Sequence, residues 1–153
     1  MTDAADREVR QDVAEVLVRY ATGIDRRDWA LFRSCFTDDC EADYGTIGEW
    51  HSADEITAWM RETHEPCGHT MHRITNEAVT TQIGSGFDGG SVAARSYVDA
   101  IVMFGDNQAG TRATGFYDDE LVRTGDGWKI AKRRFTMVML QLYPEGTSIE
   151  LGA

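Results

Sequence analysis

The chain has 153 residues, of which 42% are apolar and 27% charged, the composition of one ordinary globular domain. A formal net charge of −11 at pH 7 works against nucleic acid and anionic membranes, since both are held through Lys and Arg. No apolar run is long enough to cross a bilayer, and the opening MTDAADREVRQ lacks the apolar stretch of an export signal, so a cytoplasmic location is expected.

Val9, Val13, Val16, Leu17, Tyr20 and Ile24 recur at helical steps and predict a first helix ending near residue 25. Asp28 is placed to cap a second helix with Trp29, Phe32, Cys35 and Phe36 on its apolar face, closed by TDD. EADYGTIGEWHS reads as two short strands, or a strand and a turn. Ser52 and Glu55 form a capping box that opens a third helix, with Ile56, Trp59 and Met60 inward and Pro66 and Gly68 ending it.

From about residue 70 the pattern becomes strand-like. Segments at roughly 70–82, 91–104, 110–123 and 127–142 are separated by IGSGFDGG, GDNQAG and TGDG. Such short connections require antiparallel neighbours. The expectation is an α+β domain over 1–153, with an ordered core of about 6–143: three N-terminal helices against a curved, mostly antiparallel sheet. The glycines of GSGFDGG follow a strand and open no helix, so they read as a hairpin loop and not a phosphate cradle. The tail PEGTSIELGA reads as loosely ordered.

HEPCGHTMHRITN holds His64, His69 and His72, three of the chain's four histidines, with Cys67 among them. Pro66 and Gly68 break a regular helix through this stretch, and residues 69 and 72 of a strand point to opposite faces. No C-x-x-C supplies further ligands, so no metal site is expected. Cys35, Cys40 and Cys67 read as reduced thiols. His64 and His69 read as residues of the approach loop. His72 stays open between loop and function until Asp25 is considered, an acid at the junction of two helices.

The stretches YATGIDRRDWALFRSCFTDDCEADYG, MHRITN and GFYDDELVRTGDGWKIAKRR resemble the SnoaL-like branch of the nuclear transport factor 2-like superfamily, over about residues 8–142. In pattern they look like scytalone dehydratase, bile acid 7α-dehydratase and hexachlorocyclohexane dehydrochlorinase. The resemblance implies a cone-shaped sheet wrapped around three helices, with an apolar pocket holding a catalytic Asp–His pair. That pair falls on Asp25 and His72, and pocket tyrosines fall on Tyr20 and Tyr44. Three positions depart from scytalone dehydratase. Ile24 stands where it has a tyrosine, its second histidine falls near Ser96 and Tyr97, and Tyr117 stands where it has an asparagine. The substrate is therefore not expected to be scytalone.

The chemistry supports the pair independently. A histidine titrates near neutral pH, and a carboxylate on one ring nitrogen fixes the tautomer and leaves the other as a base. Tyr44 and Tyr20 are candidate donors to a substrate oxygen, and Tyr117 and Trp29 are placed on the pocket wall. Tyr97, Arg95 and Arg134 carry no assignment; KRR reads as a solvated face, and Asp99 reads as outward on an alternating strand. The expected function is a cofactor-free lyase of dehydratase type acting on an apolar polycyclic, polyketide-like or steroid-like substrate. Isomerase, cyclase and a non-catalytic module akin to an oxygenase small subunit are the alternatives. A homodimer or homotrimer is expected, with no metal or cofactor.

Overall fold

The computed structural model describes residues 4–80 and 90–144. Helices α1 (Ala4–Asp25), α2 (Trp29–Ser34) and α3 (Ala53–His64) accompany six strands. These are β1 (Phe36–Asp43), β2 (Glu49–Trp50), β3 (Thr70–Thr80), β4 (Ser91–Met103), β5 (Gly110–Thr124) and β6 (Gly127–Tyr143). They form one curved sheet in the order β2-β1-β6-β5-β4-β3.

The stripe on α1 is buried at Val13, Val16, Leu17, Tyr20 and Ile24. The Asp28 carboxylate accepts the Leu31 N–H at 2.9 Å, as a cap should. Between the two helices, a Cβ on Gly23 would lie 2.8 Å from the Phe32 backbone nitrogen, so only glycine permits this approach. At α3, Ser52 Oγ accepts the Glu55 N–H at 3.2 Å, while the Glu55 carboxylate reaches back one residue further than in a standard box, to the His51 N–H at 2.7 Å.

The second helix is shorter than its apolar pattern suggests. It ends at Ser34, and Phe36 begins β1, so TDD lies inside a strand instead of closing a helix. The cause is a long-range contact. The Ile130 N–H donates to the Cys35 carbonyl at 2.8 Å, which seats the chain beside β6 as a parallel neighbour. The sheet is therefore mixed, while β3 to β6 run as the expected antiparallel meander. Most of IGSGFDGG and nearly all of the tail lie outside the described residues.

Burial alternates along β4. Val92, Ala94, Ser96, Val98 and Ala100 face inward, and Arg95, Tyr97 and Asp99 face out. Register carries these faces across the sheet, because directly paired residues share a face. Three irregularities in the meander re-aim side chains. One falls in β3 between Thr75 and Ala78, where Asn76 has φ +53°. The other two fall in the β5–β6 pairing, between Thr114 and Gly115, opposite Met139 and Met137, and between Glu120 and Leu121, opposite Lys132 and Ile130. No helix among the described residues is long and apolar enough to cross a membrane.

Candidate active site

Asp25 closes α1, and His72 lies on the inner face of β3, the strand against which α1 packs. His72 Nδ1 lies 2.7 Å from Asp25 Oδ1, and the His72 backbone N–H donates to Asp25 Oδ2 at 2.8 Å. The Thr70 hydroxyl donates to Asp25 Oδ1 at 3.0 Å. Arg27 Nη1 in turn donates to Thr70 Oγ1 at 2.8 Å and Nη2 to the Gly68 carbonyl at 3.0 Å. Arg27 thus ties the end of α1 to the start of β3 on either side of the pair. Burial acts to raise the Asp25 carboxyl, but the side-chain and backbone bonds from His72, its charge and the Thr70 bond together hold it below its ordinary value. An ionised carboxylate can only accept, so Nδ1 carries a proton, and in the neutral ring Nε2 is the lone-pair nitrogen. A groove of about 340 Å³ between α1 and β3 leads to Asp25 and His72 past Val18, Thr22 and Ile74.

His64 is not a loop residue. It is the last residue of α3, only 9% exposed, with its ring centroid 5.8 Å from that of His72. Its Nδ1 lies 3.0 Å from the Met60 carbonyl. Burial, followed by the neighbouring His72, pushes its pKa down to about 4. The consequence for stability has a definite sign. Below about pH 6.5 the unfolded chain takes up this proton first, so the fold weakens as pH falls from there to about 4. Asp25, whose folded pKa is depressed, adds a further loss below about pH 3.9. Urea unfolding of wild type and His64→Gln at several pH values checks this. The variant should show a flatter stability profile between pH 6.5 and 4.

A second cluster sits deeper in the fold. The Tyr20 hydroxyl lies 2.9 Å from that of Tyr44 and 3.2 Å from that of Tyr117. All three side chains are buried, and burial raises each phenol above its ordinary pKa, so the protons stay on at neutral pH. Beneath them lies Arg133, a residue absent from the sequence-based candidates. Its guanidinium stacks 4.2 Å from the Tyr20 ring centroid and 3.9 Å from that of Tyr117. Nε and Nη2 each donate to Asp119 at 2.7 Å, while buried Nη1 has no partner within hydrogen-bond geometry among the described residues. Burial is the largest single influence and acts to strip the proton from Arg133, but the Asp119 charge, its hydrogen bonds and the neighbouring Tyr44 and Tyr20 together outweigh it and keep the guanidinium ionised. Of KRR, then, Arg133 alone points inward; Arg134 is exposed and pairs with Asp43 at 3.2 Å.

The other candidates separate cleanly. Trp29 is 8% exposed and donates Nε1–H to Glu65 at 2.7 Å, tying α2 to the end of α3. His69 is exposed, with its N–H on Asn107. Arg95 pairs with Asp118, and Asp99 with Arg73 and Arg112, all on the outer face. Cys35 and Cys40 are buried free thiols whose pKa burial raises to about 11.

Register shows what joins the two clusters. His72 pairs with Ala100, Ala100 with Ala113 and Ala113 with Leu140, and all four share the inner face. The adjacent row is Ile74, Val98, Gly115 and Met137. The inner face beside His72 is thus made of small and apolar residues, with Leu140 60% and Met137 36% exposed at its far side. Tyr117 stands two strands over and four residues along from His72. That is about 10 Å across the sheet and about 13 Å along it.

Known proteins resemble this chain in sequence or in fold. An uncharacterized protein of Mycobacterium tuberculosis is 28% identical over 135 residues, 87% of this chain and 88% of that protein. A provisionally named scytalone dehydratase from Novosphingobium aromaticivorans superposes with a TM-score of 0.81 at 20% identity, covering 100% of this chain and 99% of that one. A type 2 hexachlorocyclohexane dehydrochlorinase superposes with a TM-score of 0.82 at 17% identity, covering 97% and 98%. These two structures are alike in fold. Residues 5–134 match the SnoaL-like domain, and the chain belongs to that family.

Proposed function

We propose that this protein is a small-molecule lyase in which His72, oriented by Asp25, removes a proton from carbon beside an activating carbonyl. The observation that carries the reading is the double tie of one carboxylate to His72, through ring and backbone, with Nε2 unbonded among the described residues. The C–H electron pair becomes the new double bond, and the neighbouring C–O bond breaks with its pair, releasing water once the oxygen is protonated. Phenols are suited to hold oxygen as negative charge develops on it. Tyr44, Tyr20 and Tyr117, with the Arg133 charge behind them, lie too far along the sheet from His72 for the oxygen next to that carbon, and are placed to hold an oxygen conjugated to it at the far end of the substrate. The resemblance to a dehydratase and a dehydrochlorinase favours elimination.

The apolar inner face and the separation between His72 and the phenols favour an apolar substrate long enough to reach from one toward the other, hence a polycyclic one. Double-bond isomerisation is the second reading. It is supported by Arg133, since a buried cation behind phenols also stabilises an enolate that keeps its oxygen. A panel of polycyclic β-hydroxyketones separates the two. Elimination gives a conjugated product lighter by one water, and isomerisation gives a product of unchanged mass. Equal rates for wild type and a folded His72→Ala variant on every substrate turned over would refute both.

The outer face supports self-association. Tyr97 (45% exposed), Val138 (70%) and Met139 (44%) stand there with Phe116 beside them. A homodimer or homotrimer through this face follows from the cost of leaving such an apolar patch in water. Light scattering should give a multiple of the 17.1 kDa chain mass, reduced toward one by Val138→Glu. A wild-type monomer at micromolar concentration would refute it.

A further inference from the structure

His64 is a buried titratable group that the proposed elimination does not use. It stands one ring away from the proposed base, and its chemistry is narrowly fixed. A carbonyl can only accept, so the bond to Met60 requires the proton on Nδ1. The Thr63 hydroxyl, 3.0 Å from the same nitrogen, has carbonyl acceptors of its own at Trp59 and Met60. Nε2 is therefore the lone-pair nitrogen, and it has no hydrogen-bond partner among the described residues. His72 as the neutral base is in the same condition, with Nδ1 on Asp25 and a lone pair on Nε2.

Two neutral imidazoles that each offer a lone pair cannot bond to each other. Whatever satisfies them must bring a donor. Protonating His64 is a poor solution, because its ring is buried. The charges around it come from three elements. Asp25 at the end of α1 favours a proton, whereas Arg27 in the turn after it and any charge on His72 of β3 oppose one. The fold maintains a neutral acceptor beside the base.

We propose that His64 is a substrate-positioning residue of the same site, whose Nε2 accepts a hydrogen bond from a hydroxyl or N–H of the substrate beside the carbon that His72 deprotonates. The assignment rests on the reading of His72 as the base. It narrows the substrate class to apolar molecules carrying a donor near the acidic carbon, as a β-hydroxyketone or a phenolic ring does. A ketone of the same skeleton without that donor would be held less well and turned over more slowly.

The test needs no natural substrate. Protein with isotope-labelled histidine rings is titrated with phenol and with toluene, rings of nearly equal size of which only phenol carries a donor. The His64 Nε2 resonance should shift with phenol and stay in place with toluene. In His64→Phe the ratio of phenol to toluene affinity should fall about five- to tenfold, the worth of one neutral hydrogen bond. His64→Gln, which restores an acceptor oxygen, should recover most of that ratio. An unchanged ratio in His64→Phe, a His64 resonance indifferent to phenol, or a His64 that carries its proton on Nε2 would each overturn the proposal. A phenol preference lost in His72→Ala but kept in His64→Phe would overturn it too, while leaving the base in place. Conversely, a phenol-responsive His64 in a protein whose His72→Ala variant turns substrate over undiminished would keep the positioning residue and remove the base.

Discussion

Asp119→Asn is expected to cost the fold about 3–5 kcal/mol, the usual penalty for leaving a buried charge without its partner. The Arg133 and Asp119 side chains are 0% and 1% exposed, so no solvent replaces the lost carboxylate. For a chain of this size that is a fall in Tm of roughly 6–20 °C. The adjacent residue supplies a control with almost the same bond lengths. Arg95 binds Asp118 through two contacts of 2.7 and 2.8 Å, but on the outer face, with side chains 51% and 43% exposed. Asp118→Asn should cost less than about 1 kcal/mol. Burial decides between two pairs of like geometry, one residue apart on β5. Thermal unfolding of both variants checks this. An apolar double replacement at 119 and 133 should recover much of the loss, since a buried ion pair is expensive to desolvate in the first place. It would nonetheless strip the charge from behind the phenols, so recovered stability without recovered activity is the expected pattern.

His72→Ala is expected to lower turnover by about 10²–10⁴-fold, the range of positioned general-base help. The fold should survive, because the ring sits on a strand held by its backbone ladder. Asp25→Asn keeps the shape but loses the anion that sets the tautomer and steadies the imidazolium as it forms. Its effect should be of the same sign. It should also loosen β3 from α1, since the His72 backbone N–H and the Thr70 hydroxyl both end on that carboxylate. Circular dichroism beside the kinetics separates loss of chemistry from loss of the junction.

Much of this molecule was legible before any coordinates. The stripe on α1, the Asp28 cap, the Ser52 box and the four long strands follow from spacing and turn residues, which act locally. Two of the features that escaped were set at long range. The Cys35–Ile130 bond, which draws Phe36 out of α2 and into a strand parallel to β6, joins residues far apart in sequence. Arg133 was hidden by a bulge. Strict alternation from Trp128 and Ile130 would put Lys132 and Arg134 inward, and the extra residue opposite Glu120 and Leu121 reverses the faces. A signal was present, since Ile130 and the next buried apolar residue, Phe135, are an odd number apart. Asp119 lies two residues from both Tyr117 and Leu121, on the face they bury. His64 could also have been found. It continues the inward stripe of Ile56 and Met60 by four residues, but Pro66 and Gly68 draw attention to the loop instead.

The central claim is that His72 Nε2 removes a proton from carbon. Proton exchange tests it most directly. A polycyclic ketone that binds the protein is incubated in heavy water, and deuterium at the carbon beside the carbonyl is followed by mass and NMR. Wild type should incorporate label, or lose the leaving group, well above the buffer rate. His72→Ala should fall to the buffer rate while remaining folded. Undiminished exchange in folded His72→Ala would contradict the account.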